Sequence, residues 1–224
     1  MAPIAEDLLL LLLDNASGRP ALARDRRQRL LGAAVLLDLA FACRVRLSFE
    51  GEPTRAGRLL QMAGADLADP ILDPALHLMG HRAWKPHTAV LKLGRGVEPA
   101  LLTCLERTGH IRQVRLRAKR SDASWAWPMV DRSRVDEIRA ALFSALFDLR
   151  TPAPTTAGII SLLHHANEFT ALLSLNDRGR RWVDWRAGDI AGGCWLDEGE
   201  DESPRDVPYV NLAVMTSAVR PALT

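Results

Sequence analysis

Residues 29–44 read RLLGAAVLLDLAFACR, and the reading of that stretch decides the fold. Leu30, Leu31, Ala33, Ala34, Val35, Leu36, Leu37, Leu39, Ala40 and Phe41 leave almost no polar face. A helix that is apolar nearly all round must be enclosed by protein or lipid. Asp38 interrupts the run and arginines flank it, so it falls short of the roughly 20 apolar residues a bilayer span needs. The stretch therefore reads as the central core helix of a globular domain. Gly32, Ala33 and Ala34 would let neighbouring helices approach it closely.

Working outward toward the N-terminus, Arg19–Gln28 carries an arginine cluster into this helix. Before it, Pro3–Leu13 reads as a first helix with acids in its opening turn, ended by Asn15–Gly18. The leucine run Leu8–Leu13 follows Glu6 and Asp7 rather than a basic region, and no small-residue cleavage site comes after it. It is read as a buried helix, not a signal peptide.

Toward the C-terminus, Val45, Leu47 and Phe49 alternate with Arg46 and Ser48 as a half-buried strand does, and Arg58–Met62 reads as its return. A helix is expected near Pro74–Arg82. Trp84-Lys85-Pro86 starts another helical unit, expected to break or kink at Gly94–Gly96 before Pro99–Thr108 closes on Gly109. Ile111, Val114 and Leu116 lie on one side of Arg120–Ser124, with Trp125 and Trp127 on the other, which reads as a β-hairpin. Ser133 and Asp136 resemble a capping box opening a helix over Arg134–Leu149, with a stripe at Ile138, Leu142, Ala145 and Leu149. Helical runs follow from Thr155 to Glu168, onward to Leu175, over Arg178–Gly188 and over Val210–Val219. Gly192–Pro208 reads as an acidic loop. The fold class expected is mainly α: a compact single helical domain over residues 1–224, built around the central apolar helix, with one or two β-hairpins.

The 224 residues are 48% hydrophobic and 25% charged, as in an ordinary globular protein. A net charge of +2 gives no global argument for nucleic acid. Charge is nevertheless uneven: basic residues crowd Arg24–Arg29 and Arg112–Arg120, and acids crowd Asp197–Asp206. Cys43, Cys104 and Cys194 form no close-spaced motif, so reduced thiols in a cytoplasmic protein are the simplest reading.

Signatures of catalysis are sparse. His77 and His81 have a spacing that can hold a metal, but without an HExxH pattern or a third ligand they read as ordinary helix histidines. His164 and His165 sit close to Glu168, and at most one of them could pair with it. No G-x-S-x-G, Walker A or G-x-G-x-x-G pattern occurs. Neither a catalytic residue nor a metal or cofactor site is assigned. The hairpin is more suggestive: Arg115, Arg117, Lys119 and Arg120 precede Trp125 and Trp127. Arginines attract phosphate, and tryptophan favours the head-group level of a membrane. The same mix would suit the wing of a DNA binder, or tryptophans that simply pack on the core.

The order of elements resembles the Golgi phosphoproteins and their actinobacterial relatives. The matching residues are Ala5–Asp14 (AEDLLLLLLD), the Gly32–Val45 helix with its Leu37-Asp38-Leu39-Ala40 core, and the Arg46–Phe49 strand. Further on come Leu72-Asp73-Pro74-Ala75-Leu76, Trp84-Lys85-Pro86, Leu105–Gly109 leading into a hairpin, and Trp127-Pro128 leaving it. The likeness covers most of Ala5–Leu175 and fades after about residue 175. It implies a mainly helical single domain that binds phosphatidylinositol 4-phosphate on a membrane-facing surface. In eukaryotic members a tryptophan and an arginine near the start of the central helix hold the head group, with two more arginines, three apart, from a later helix. Aligned on the central helix, the first two positions fall at Ala23 and Gly32. Aligned back from Gly109, the later pair falls at Arg95 and Glu98; anchored on Trp84, it falls at Gly94 and Val97. Most of the pocket is therefore missing, although Arg26, Arg27 and Arg29 lie near the lost positions.

These readings converge on a non-enzymatic peripheral membrane or adaptor protein that binds anionic phospholipid head groups. It would sit in the cytoplasm or at the inner face of a membrane. The expected head-group residues are Arg95, Arg26, Arg27 and Arg29. The expected membrane-facing hairpin comprises Arg115, Arg117, Lys119, Arg120, Trp125 and Trp127. Protein partners and a homo-oligomer joined through the hairpin are the further partner expectations, and nucleic acid is disfavoured. The rivals are a DNA-associated regulator using the hairpin as a wing, and an enzyme centred on His77/His81 or His164/His165.

Overall fold

A segment without a polar face has to be surrounded, and the central helix α2 (Arg24–Phe41) is. In the computed structural model, which describes residues 2–80, 82–116, 124–196 and 207–224, every residue from Leu30 to Ala40 is buried. Four helices form the wall: α1 (Pro3–Leu12), α4 (Pro86–Arg107), α6 (Pro154–Ala166) and α9 (Val207–Val219). The helix begins at Arg24 rather than Arg29, so the arginine cluster forms its first turns. It ends at Phe41, ahead of Cys43 with its positive φ of 53°.

The acid inside the apolar run has a structural purpose. An α-helix leaves its first N–H groups without intrahelical partners. Asp38 accepts the Ile4 and Ala5 N–H groups of α1 at 2.9 and 3.0 Å. Burial pushes the Asp38 carboxyl well above the usual carboxylate range, and these two donors act against that rise. The leucines of α1 are buried throughout, in keeping with the reading of Leu8–Leu13 as a core helix.

Helix α4 corrects the expected break at Gly94–Gly96: it runs unbroken through both glycines and through Pro99. Val90, Leu93, Val97 and Leu101 are buried along one side, so tertiary packing overrides the weak local propensity. Gly94 is needed there because α2 passes so closely. A Cβ on it would stand 2.1 Å from the Gln28 carbonyl oxygen, and one on Gly32 would stand 2.3 Å from that of Val90.

The remaining elements are α3 (Leu72–Met79), α5 (Ser133–Phe147), α7 (Phe169–Leu172) and α8 (Asp177–Ala191). Two antiparallel hairpins complete the fold. β1 (Val45–Leu47) pairs with β2 (Leu59–Gln61), and β3 (Val114–Leu116) with β4 (Ser124–Ala126). The described residues are thus mainly helical with two small two-stranded sheets. The capping box at Ser133 does not form: the Ser133 N–H and hydroxyl both donate to Asp131, at 2.9 and 2.8 Å, and Arg132 is the N-cap, with no side-chain cap hydrogen bond. Leu149 falls outside the stripe of α5, beyond its last turn and exposed. No helix among the described residues is long and apolar enough to cross a membrane.

Candidate functional site

Placing the arginine cluster on the first turns of α2 sorts it into structural and available members. Arg27 is structural. Its Nε donates to Glu98 Oε1 of α4 at 2.7 Å, with both side chains close to nine-tenths buried, and its Nη1 donates to the Leu22 carbonyl at 2.6 Å. Arg27, one of the expected head-group residues, thus joins α2 to α4 largely out of reach of solvent. Arg26 is mostly exposed, yet its Nη1 lies 2.8 Å from Glu168 Oε1, tying α2 to the corner after α6. Such a pair still leaves part of the guanidinium free for another acceptor.

Arg29 is half-buried and Arg95 exposed, and neither has an ionic or hydrogen-bond partner among the described residues. Gln28 touches Gly94 at the helix crossing. Arg29 and Arg95 are the next residues along the two helices, so the fold brings these sequence-distant cations to one crossing. Exposed Arg24 stands at the start of the same helix.

The second hairpin divides its residues between two faces. Arg115 lies directly opposite Trp125, and both are exposed, Trp125 by 43%. Val114 and Leu116 are half-buried and Ala126 is buried, on the other face. Trp127 departs from the expected membrane-facing pair. Its N–H donates to the Gly18 carbonyl at 2.7 Å, and its half-buried ring packs on the core. Arg117, Lys119 and Arg120 lie outside the described residues.

The Golgi phosphoprotein 3 (GPP34) family profile matches residues 4–204. The chain belongs to that family. The match runs past residue 175, beyond the stretch whose motifs carried the resemblance. No curated protein matches the chain. The family is not an enzyme family. The positions to which the resemblance carries head-group residues meet a close helix crossing in this chain. Gly32 faces main chain of α4, where no arginine side chain would fit, and Glu98 is occupied by Arg27. Ala23 is the N-cap of α2 and offers no indole.

His77 Nδ1 lies 2.8 Å from the Asp73 carbonyl oxygen, and His81 is outside the described residues. Glu168 pairs with Arg26 rather than with either later histidine. His164 Nδ1 is 3.3 Å from Asp184 without hydrogen-bond alignment. Burial, then the neighbouring His164 and Arg220, depress the His165 pKa to about 4. Among the described residues no group of three or more His, Cys, Asp or Glu is placed to hold a metal. Cys43, Cys104 and Cys194 form no disulfide among the described residues, and burial raises the pKa of the Cys104 thiol, opposite to the shift that activates a nucleophile.

One surface escaped the sequence reading. Phe143, Phe147, Trp182 and Trp185 of α5 and α8 are exposed by 45, 36, 40 and 55%. Trp182 and Trp185 lie with Arg178 and Arg181 along an open groove of about 680 Å³. The signal was present: two tryptophans three apart on a helix, a turn after arginines, repeat the residue mix that drew attention to the hairpin.

Proposed function

We propose that this protein is a non-enzymatic peripheral membrane or adaptor protein that binds anionic phospholipid head groups of the phosphatidylinositol 4-phosphate type. Family membership supports the class of ligand. The observation that carries the reading is the pair of unpartnered cations, Arg29 and Arg95, on either side of the α2–α4 crossing. Arg24 and the exposed part of Arg26 extend that positive surface, and Arg115 beside Trp125 supplies a second contact of interfacial character.

A phosphomonoester recognised stereospecifically wants several charge-assisted donors converging on it. The close crossing of Gly32 on Gly94 and the pair Arg27–Glu98 leave no such converging set at the aligned positions, which favours electrostatic attachment to a charged surface. Each basic residue near an anionic membrane contributes about 1 kcal/mol, decaying within a Debye length. Two or three free arginines therefore give salt-sensitive binding with modest discrimination between lipids of equal charge.

Liposome flotation tests this. Vesicles containing phosphatidylinositol 4-phosphate, vesicles matched in charge with phosphatidylserine, and neutral vesicles are compared at low and high salt. Wild type should float with both anionic sets at low salt and with neither at high salt. Arg29→Glu/Arg95→Glu should lose most of that binding, while Arg178→Gln should not. Flotation with neutral vesicles alone, or phosphatidylinositol 4-phosphate binding that survives both high salt and the double reversal, refutes the proposal.

A further inference from the structure

A cavity of about 340 Å³ lies between α1, α5, α6 and α7, and neither Arg29 nor Arg95 lines it. Leu11, Leu142, Leu146, Leu163, Phe169 and Leu175 form most of its wall. Pockets that hold small molecules typically run from about 300 to 1,000 Å³, mostly apolar with a few placed polar groups. This one has a single ionisable side chain in its lining, Arg139. Arg139 sits half-buried on α5, with no hydrogen-bond or ion-pair partner among the described residues. Three other arginines drawn into the fold have partners: Arg27 holds Glu98, Arg134 holds Glu6 and Asp7, and Arg186 donates to the Ala145 carbonyl. A guanidinium left unpaired against an apolar wall invites an anion, because a partly desolvated charge without a partner is costly.

We propose that this cavity binds an apolar monocarboxylate of the fatty-acid type, its hydrocarbon chain among the leucines and its carboxylate on Arg139. The chemistry selects that class over its competitors. A peptide would bring a continuous row of backbone N–H and C=O groups against a wall whose polar side chains are Arg139 and Ser174. A phosphate would call for more than one cation. A neutral hydrocarbon would leave Arg139 as it stands. One guanidinium matches one carboxylate, in the two-pronged geometry that arginine favours. The exposed ring of Phe143, stacked on Phe147 with centroids 5.5 Å apart, lies at the edge of the same cavity and would cover the chain.

The site is independent of the proposed membrane contact, and the test keeps the two apart. Hexanoate, octanoate, decanoate and decanol are titrated calorimetrically into wild type, Arg139→Gln, Leu172→Trp and the charge control Arg178→Gln. Thermal melts confirm that each variant is folded, and Ser174→Trp at the rim replaces Leu172→Trp should that variant fail to fold. The expected result is saturable decanoate binding at one site, tightening about fourfold per methylene from hexanoate upward. Arg139→Gln should weaken decanoate by tenfold or more and leave decanol unchanged. Filling the cavity should abolish binding of both, Arg178→Gln should alter neither, and Arg139→Gln should float on anionic vesicles as wild type does. The proposal is overturned if decanoate shows no saturable binding to wild type. It is overturned equally if Arg139→Gln and Arg178→Gln weaken decanoate to the same extent, or if the folded, cavity-filled variant still binds it.

Discussion

The closeness of α2 and α4 makes a sharp demand on two glycines, and adding one methyl group tests it. In a free helix, replacing glycine by alanine gains about 1 kcal/mol. At Gly32 the new Cβ would stand 2.3 Å from the Val90 carbonyl oxygen and 2.7 Å from the Gly94 nitrogen. Ordinary van der Waals contact begins near 3.4 Å, so the helices must separate by about 1 Å. The clash is with main chain, which has no rotamer to yield, so the cost belongs at the upper end of overpacking, about 3 kcal/mol. The net loss is then about 2 kcal/mol, or a fall of about 4–8 °C in melting temperature for a chain of this length. Gly94→Ala meets the Gln28 carbonyl at 2.1 Å and should cost a similar amount. One separation relieves both clashes, so the double variant should lose less than the sum. Gly96 lies two residues on in the same helix, with nothing within 4 Å of its Cβ position. Gly96→Ala should therefore hold or raise the melting temperature. Thermal melts followed by circular dichroism measure all four proteins. If Gly32→Ala and Gly94→Ala melt as high as Gly96→Ala, the crossing is looser than described, and the claim that it closes the inherited pocket fails with it.

Removing one partner of the Arg27–Glu98 pair should be more damaging than removing both. Arg27→Met should cost about 3–5 kcal/mol by leaving Glu98 buried without its cation, whereas Arg27→Met/Glu98→Met should recover much of that loss in urea melts. Asp38→Ala strands the Ile4 and Ala5 N–H groups and should cost about 2–4 kcal/mol by the same assay. His165 makes stability depend on pH. Its folded pKa of about 4 lies below the ordinary 6.5, so between those values the unfolded chain binds the extra proton. Its contribution is complete above pH 6.5 and is lost as pH falls toward 4. The full difference corresponds to about 3.4 kcal/mol, reduced for solvent screening of a partly exposed ring to about 1.5 kcal/mol. His165→Phe should flatten that part of the stability profile measured by denaturant titration.

Much of the architecture was written locally. The run from Leu30 to Phe41 has no polar face, and no arrangement except enclosure satisfies it, so its role as the core helix could be read from residue types alone. The alternation at Val45–Leu47, the turn residues after it, and the arginine–tryptophan hairpin were legible for the same reason: period and propensity are properties of neighbours in sequence. The family followed too, because its motifs are short and contiguous. What residue types could not settle was where each charge goes. Arg26, Arg27 and Arg29 look alike in a row. Yet Arg27 turns inward to Glu98, 71 positions away, Arg26 reaches Glu168, 142 positions away, and Arg29 has no partner among the described residues. Glycines at 94 and 96 suggest a break, but α4 is continuous because one of them is required for contact with Gln28. The rotation of a helix and the depth of its neighbour decide whether an arginine faces solvent, an acid or an apolar cavity. Those quantities come from packing across the whole chain, and so Arg139 and its cavity become visible only once α5 is laid against α1 and α6.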